Sequence, residues 1–489
     1  MRRLLAVALA AVSLSASAAL ERVGTLQFAE MPELGESIGK LGLFIGNPLA
    51  TAGMAALFAD LPTIKHFGPM RPKSTMVFAI FLDGKEFDAN PAAALDGFEA
   101  GLLYPIAISK DEFVKRHAGA FETNGVVVVT GGLFGGSSRN YVAFSPDGKW
   151  IGTSDHAEAA KLMLEAVPVA EKSLDGDIVR LHLGEKYFKA GCAAAKAGME
   201  GESLEPSLSV LESCQSFIVG LRVSDFGVDV RGAVRFAEGS EASLCGQKPL
   251  GARPLAFAGK DAVCAFAQAE DCGNGQQGMA KMWNELTALL KKHGVDVSAF
   301  LARAQTSGVD AFTLDAAALV KFLDGGEASK AIKGFDAEKF LADAQAIKSE
   351  PFAAKAPAFA SLFGIKGFSS EWTVEDRFAA TLPEAAGKTP FSVSFFSFSS
   401  IVKAAASHAL ALVPEEQRPV LKPVVDQLAT ESKRGIASMC WAHNGAQKFF
   451  FRISADEIRS IGGILSAAMA LGTEETTTVP ANIDIDDED

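Results

Sequence analysis

Apolar and polar residues follow one another most regularly between Tyr141 and Val167. Short apolar runs on both sides of residues 145–148, Ser-Pro-Asp-Gly, predict two strands joined by a tight turn. Apolar residues then recur at helical spacing from Ala159 to Ala166, and Asp155 stands where it can cap the first turn of a helix. The segment therefore predicts a hairpin followed by a capped helix that Pro168 ends.

Strands, turns and helices of the same kind recur along the chain. One hairpin with one helix cannot bury its own apolar face, so such units must pack against neighbours. We therefore predict an α+β fold of two similar domains, each an antiparallel sheet covered by helices. The same pattern predicts a hairpin turning at Asp83-Gly84, a helix over 297–304 and a surface loop over 350–367.

The order of predicted elements is the same in two parts of the chain. Residues 177–236 and residues 391–454 each read as a strand, two helices and a strand pair, which indicates an internal repeat. Between them, residues 237–254 lack periodicity and are rich in Gly, Ser and Pro. The predicted division is a signal peptide over 1–18, a first α+β domain over 19–240, a linker over 241–254, a second α+β domain over 255–472 and an acidic tail over 473–489.

This layout resembles a loose group of exported bacterial proteins of unknown function that are built from duplicated hairpin-and-helix units. The resemblance rests on the order of elements across most of the mature chain. It implies an exported protein with an internal repeat, and it carries no functional residues over.

The first residues have the features of a secretory signal peptide. Arg2 and Arg3 precede an apolar run from Leu4 to Leu14, and the small-residue pattern Ala-Ser-Ala follows at 16–18. The apolar run is too short to span a bilayer, so no transmembrane anchor is expected after cleavage near Ala19. We therefore expect a periplasmic or secreted protein.

The charge distribution restricts the partners. The formal net charge is −13, and much of it lies in the tail after residue 473, which has no face for packing. No basic stripe is present, so the sequence offers no electrostatic footprint for nucleic acid. The expected partner is an unknown protein or ligand of the cell envelope or the extracellular medium.

The six cysteines are disulfide candidates, because an exported chain meets an oxidising compartment. None forms a C-x-x-C motif, which removes the usual support for thiol-redox or zinc-ribbon sites. Sequence alone does not choose among the possible connectivities. The candidates are Cys192, Cys214, Cys245, Cys264, Cys272 and Cys440.

Two short patterns match the serine–lysine pair of penicillin-recognising enzymes. They are Ser37-x-x-Lys40 and Ser400-x-x-Lys403. Ser37 also stands in a G-x-S-x-G pattern, but the residues before it do not read as the buried strand that a nucleophile elbow needs. No S-D-N motif exists, and Pro390 follows Lys388-Thr389 where the enzymes have glycine. We therefore expect no catalytic residue at these positions.

Other motifs give no support for a cofactor or a metal. The glycine-rich residues 131–136 follow an apolar strand, but no G-K-[ST] and no helix follow to hold a phosphate. The seven histidines do not form an H-E-x-x-H motif.

Two hypotheses of different classes remain. The favoured one is an exported non-enzymatic binding or structural protein of unknown ligand. The alternative is an exported serine-type hydrolase whose site is assembled from distant residues. A cleft with converging His, Asp and Ser side chains would favour the alternative.

Overall fold

A computed structural model of the protein describes most of the chain. The predicted signal peptide, the acidic tail, residues 131–138 and Cys245 lie outside the described residues. The described residues are 20–45, 66–95, 97–130, 139–198, 205–244, 247–269, 272, 276–306, 309–346, 359–428 and 431–463.

Within the described residues, the strands form one 17-stranded sheet. They are β1 (Leu20–Phe28), β2 (Met76–Asp83), β3 (Glu99–Pro105), β4 (Phe121–Thr123), β5 (Val126–Thr130), β6 (Arg139–Phe144), β7 (Trp150–Ser154), β8 (Val179–Gly184), β9 (Cys214–Ser224), β10 (Gly227–Phe236), β11 (Ala262–Gln268), β12 (Leu301–Thr306), β13 (Val309–Leu314), β14 (Phe359–Ile365), β15 (Pro390–Phe396), β16 (Ile436–His443) and β17 (Ala446–Ser454).

The spatial order of the strands is β4-β5-β6-β7-β3-β2-β1-β8-β9-β10-β17-β16-β15-β11-β14-β13-β12. Among the described strands, β13 and β14 run parallel and the other neighbours run antiparallel. The predicted α+β class with antiparallel strands is therefore confirmed, and the strands form one large sheet where the prediction was a separate sheet in each of two domains. The sheet is also continuous, because β10 of the first half (residues 20–244) pairs with β17 of the second half (residues 247–463).

The helices connect these strands and cover the sheet. They are α1 (Met31–Ile45), α2 (Gly84–Ala89), α3 (Lys110–Arg116), α4 (Ala157–Leu162), α5 (Val167–Ala170), α6 (Glu185–Gly198), α7 (Glu205–Glu212), α8 (Glu241–Leu244), α9 (Gln276–Lys292), α10 (Ala316–Asp324), α11 (Glu327–Gly334), α12 (Ala337–Gln345), α13 (Val374–Thr381), α14 (Phe398–Leu412) and α15 (Arg418–Leu428). Residues 455–463 are also helical. Across the described ranges, no helix is both long enough and apolar enough to pass through a bilayer.

Two separate groups of helices cover one face of the sheet. On the first half, α4, α5 and the 3₁₀ turn between them lie over β2, β3 and β7, where Met163 packs in a cluster with Val77. On the second half, α13 lies over β11, β15 and β16, where Phe378 packs in a cluster with Val393 and Met439. The strand register puts both clusters on the same face. Strands β9, β10 and β17 lie between these two covers.

The opposite face of the central strands is packed. Leu34 and Ile38 of α1 lie in a core cluster with Val223 of β9. Ala455 and Ile458, which follow β17, join the same cluster. Since α1 belongs to the first half and residues 455–463 to the second, the two halves share core contacts as well as the sheet.

Several predicted local structures are confirmed. The Ser-Pro-Asp-Gly turn joins β6 to β7, with the N–H of Gly148 2.9 Å from the carbonyl oxygen of Ser145. Asn444 and Gly445 both have positive φ angles and close the β16–β17 hairpin, as a primed turn requires. The repeated order is also present: β8, α6, α7, β9 and β10 match β15, α14, α15, β16 and β17.

Other local predictions are wrong for identifiable reasons. Asp83-Gly84 does not close a hairpin, because the Asp83 carboxylate accepts the N–H groups of Lys85 and Glu86 and starts α2. The helix after β7 begins at His156 as N-cap, without a side-chain cap from Asp155. Pro168 lies in the first turn of α5 rather than ending the element.

Two predictions over longer segments are also wrong. Residues 297–304 form a 3₁₀ turn and the edge strand β12 instead of a helix. Part of the predicted loop over 350–367 is β14, which lies between β11 and β13. Long-range pairing with β11 and β13 fixes β14, and local pattern does not show it. The edge strand β12 pairs with the next strand, β13, but its mostly exposed residues have no apolar alternation.

Candidate functional site

A groove of about 670 Å³ lies between the two helical covers. Its floor is formed by β9, β10, β16 and β17, and its walls are formed by the loops that precede β8 and β15. Side chains of a strand alternate between faces, so every second residue of each floor strand points into the groove. The groove is therefore centred where β10 and β17 join the two halves of the chain.

A buried arginine crosses the junction of the halves. Arg452 of β17 is 2% exposed and lies opposite Asp229 of β10. Its Nε and Nη2 atoms donate to the Asp229 carboxylate at 2.6 and 2.9 Å. The same guanidinium donates to Glu384 at 3.0 and 3.1 Å and to the carbonyl oxygen of Thr381 at 3.1 Å. These contacts neutralise the charge of Arg452 within the protein.

A second carboxylate holds two further arginines. Asp177, in the loop before β8, is buried and accepts from Arg180 at 2.8 and 3.1 Å and from Arg231 at 2.8 Å. The carboxylate lies directly over Gly220 of β9, where a Cβ atom would come within 2.2 Å of Oδ2. Glycine at 220 thus leaves the room that this ion-pair cluster needs.

Three cations of the groove remain without an acidic partner. In the part of the chain that the structure describes, no ion pair holds Arg222, Lys388 or Lys448. The acidic side chains of the groove are Asp175, Asp177, Asp229 and Glu384, and each of them is paired with an arginine. The groove therefore has an excess of positive charge, although the whole chain carries −13.

The unpaired lysines adjoin an apolar strip. The register aligns Ile218 of β9 with Ala233 of β10, Ala233 with Lys448 of β17, and Lys448 with Trp441 of β16. Lys388, from the loop before β15, places its Nζ atom 4.4 Å from the centre of the Trp441 ring. The two lysines thus flank Trp441 at one end of a strip that contains Ile218 and Ala233.

The first serine–lysine pattern lies on α1. Ser37 is buried in the middle of this helix, so the G-x-S-x-G pattern is a helix segment and not a strand-to-helix elbow. The ammonium of Lys40 lies 3.2 Å from Glu36 and 3.3 Å from Asp225. These carboxylates raise the pKa of Lys40, whereas a lysine that acts as a base needs a lowered pKa.

The second pattern lies in a buried polar cluster. Ser400 is fully buried, and Arg377 donates to its hydroxyl at 2.9 Å. Ser400 and Lys403 both donate to the carboxylate of Glu431, at 3.3 and 3.0 Å. Glu457 closes the cluster by accepting the N–H of Ser399 at 3.0 Å. This arrangement joins α13, α14 and the helix after β17, and it buries the candidate nucleophile.

The cysteines differ from the predicted disulfide framework. Cys192, Cys214, Cys264 and Cys440 are free thiols, and Cys272 is disulfide-bonded. Cys264 and Cys440 lie opposite residues of β15 that are four positions apart, so their Cα atoms are separated by roughly 16 Å. A disulfide needs Cα atoms within about 7 Å. Burial raises the pKa of both thiols to about 11.

Sequence reasoning missed the residues that line the groove. The signal that points to them is charge inside otherwise apolar strands: Asp229 and Arg231 alternate within β10, and Lys448 and Arg452 flank three phenylalanines in β17. A charged residue on a central strand is costly to bury unless it is paired. Such residues therefore indicate a sheet face that is partly open to solvent, or one whose charged side chains are paired with each other.

Comparison with protein-family models, curated proteins and solved structures finds no match to this chain. Within the described ranges, His, Cys, Asp and Glu side chains form no group of three that could hold a metal ion. The groove is thus characterised by its own geometry and charge.

Proposed function

We propose that this chain is an exported, non-enzymatic binding protein and that the central groove holds its ligand. The observation that carries the proposal is the excess of unpaired cations in the groove, at Arg222, Lys388 and Lys448. Side chains that only stabilise the fold would be expected to have their charges neutralised, as those of Arg452 and Arg231 are. An open cavity of this size is in the range that small-molecule sites occupy.

We also propose that the chain is a duplication of one α+β unit, with the groove at the junction of the two copies. The matching order of elements in the two halves supports this, together with the pairing of β10 with β17. Each half supplies floor strands and one wall loop to the groove. A signal peptide over 1–18 would deliver the protein to the periplasm or the medium.

The alternative of a serine-type hydrolase has less support. Ser400 is buried and its hydroxyl is engaged by Arg377 and Glu431. Ser37 faces the core side of α1, and its neighbour Lys40 is held by carboxylates. Neither arrangement leaves a nucleophile open to a substrate.

The proposal is tested by identifying small molecules that remain bound to the protein when it is purified. The mature protein is purified under native conditions from its own envelope or medium, and bound small molecules are measured by native mass spectrometry. Ala233→Phe places a large side chain on the floor of the groove, at a residue that takes part in none of its ion pairs. Ala302→Phe adds the same side chain on the exposed edge strand β12 and serves as the matched control.

We expect a bound molecule in the wild type and in Ala302→Phe, and its loss in Ala233→Phe. A molecule that stays bound to Ala233→Phe would place the site elsewhere, and the absence of any bound molecule from all three proteins would contradict the proposal. Hydrolysis of ester, peptide, glycoside or β-lactam substrates that Ser37→Ala or Ser400→Ala abolishes would favour the hydrolase instead.

A further inference from the structure

We infer that the ligand of the groove is an organic anion, with a carboxylate or phosphate group bound by Lys388 and Lys448 and an apolar body lying over Ile218 and Ala233. This inference rests on the proposed function, since it names the ligand class of the same groove.

Two arginines of the groove already have their charges neutralised by carboxylates. Arg452 is bonded to Asp229 and Glu384, and Arg231 is bonded to Asp177. A ligand would have to compete with the buried carboxylates of Asp229 and Asp177 in order to use either arginine, which is unfavourable. The arginines therefore shape the floor, and the ligand's charge must be met elsewhere.

Two lysines are available at one end of the groove. Lys448 stands directly opposite Trp441, and Lys388 reaches the same ring from the wall loop with its ammonium 4.4 Å from the ring centre. Two positive charges therefore lie at the same end of the groove, and an anion bound there would reduce their repulsion. A carboxylate or phosphate oxygen accepts strong charge-assisted hydrogen bonds from such groups.

The neighbouring part of the floor suits the rest of the molecule. Ile218 is 39% exposed although it lies on a central strand, and the small side chain of Ala233 beside it leaves space above the floor. Both residues lie in the same row as Lys448, so an apolar group over them continues directly into the lysine pair. The groove thus offers an apolar surface with positive charge at one end of it. This arrangement fits an amphipathic anion better than an inorganic ion.

The test uses probes of defined chemistry on the intact mature protein at low salt. Binding of naphthalene-2-carboxylate and of phenyl phosphate is measured by isothermal titration calorimetry, with the neutral 2-naphthalenemethanol for comparison. Lys388→Gln and Lys448→Gln remove one charge each, and Lys388→Arg and Lys448→Arg keep it. Lys330→Gln, on the exposed surface of α11, is the matched control.

We expect at least one of the two anions to bind and the neutral probe to bind about tenfold more weakly or not at all. Each glutamine variant should weaken anion binding about tenfold, while the arginine variants and Lys330→Gln bind as the wild type does. Preference for one of the two anions would identify the head group. Equal binding of the neutral probe, or unchanged binding by both glutamine variants, would overturn the inference.

The two proposals can fail separately. If the wild type carries a molecule that Ala233→Phe loses, but neither anionic probe binds, the groove is a binding site and the anion class is wrong. If no molecule is carried and no probe binds, both proposals are wrong.

Discussion

The two members of the ion pair between Asp229 and Arg452 differ in how many other polar contacts they make. Arg452 also donates to Glu384 and to the carbonyl oxygen of Thr381. Among the described residues, Asp229 forms an ion pair with Arg452 alone. Arg452→Met therefore leaves a buried carboxylate alone, and we expect it to lower the free energy of unfolding by about 3–5 kcal/mol. Asp229→Ala should cost less, because Arg452 keeps Glu384. Urea denaturation of both variants measures the difference.

The double variant provides the control for this prediction. Asp229→Leu with Arg452→Met replaces both charges by apolar side chains, and it should recover much of the stability that Arg452→Met loses. Equal losses in the two single variants, or a double variant less stable than Arg452→Met, would contradict the asymmetry.

Burial of Glu375 predicts how the free energy of unfolding depends on pH. This residue of α13 is 8% exposed, and its carboxylate accepts the N–H of Leu255 at 2.7 Å. Burial raises the pKa of Glu375, so the folded state holds the proton more tightly than the unfolded state does. The resulting stability is fully present below the unfolded pKa of about 4.3 and is lost as the pH rises through the higher folded value.

Glu375→Gln removes this titration while keeping an oxygen that can accept from Leu255. We therefore expect the stability of the wild type relative to Glu375→Gln to fall as the pH rises from about 4 to about 7. Denaturant unfolding at several pH values measures the two free energies. A difference that stays constant or increases with pH would contradict the prediction.

Single residues could be predicted where their bonding is local. The turn at 145–148 was predictable because Ser, Asp and Gly bond within the turn itself. Asp155 was not, since the same side-chain type can cap a helix or contact a neighbouring side chain, and here it lies beside Ser154 and Glu99. The roles of Arg231 and Arg452 in the groove were missed because the carboxylates that hold them are more than fifty positions away.

At the scale of elements, Gly152 tests how the first helical cover packs on the sheet. A Cβ atom on Gly152 of β7 would lie 2.2 Å from the carbonyl oxygen of Ala160 and 2.7 Å from Cβ of Met163. Gly152→Ala must push this cover away from the strand, and we expect it to lower the free energy of unfolding by about 1–3 kcal/mol. Thermal or denaturant unfolding provides the measurement.

Gly35→Ala is the matched control on α1. Gly35 is exposed, and a Cβ atom there meets nothing within 4 Å. Alanine loses less backbone entropy than glycine when a helix forms, so this variant should gain about 0.5–1 kcal/mol. Destabilisation by Gly35→Ala would contradict the helical interpretation of the G-x-S-x-G pattern, and a neutral Gly152→Ala would contradict the close packing.

Elements could be predicted where pattern and turn chemistry agree. The hairpins and the order of helices in both halves follow from apolar periodicity and turn residues such as Asn444 and Gly445. The strands β12 and β14 could not be predicted in this way, because both are fixed by pairing with β13. A polar edge strand such as β12, with three exposed residues at its end, has no apolar pattern to reveal it.

For the whole molecule, the pairing of β10 with β17 is the feature that sequence could not show. It joins residues more than two hundred positions apart, and no local pattern specifies which strand meets which. The predicted boundary after residue 240 falls just beyond β10. Separate expression of residues 19–240 and 250–472 would therefore leave β10 and β17 as unpaired edges.

We expect each half to fold and the two to associate when mixed, because the exposed edges are complementary and the Asp229–Arg452 pair forms only between them. Asp229→Ala in the first half should weaken this association at least tenfold, about the cost of one charged hydrogen bond.

Asp310→Ala is the matched control: Asp310 is similarly buried and bonded to Arg303 at 2.6 Å, but within the second half. It should lower the stability of that half and leave the association unchanged. Sedimentation velocity on the mixed halves measures the complex. Halves that do not fold would contradict the predicted domains, and an association equally weakened by Asp310→Ala would show that the junction pair has no special role in joining them.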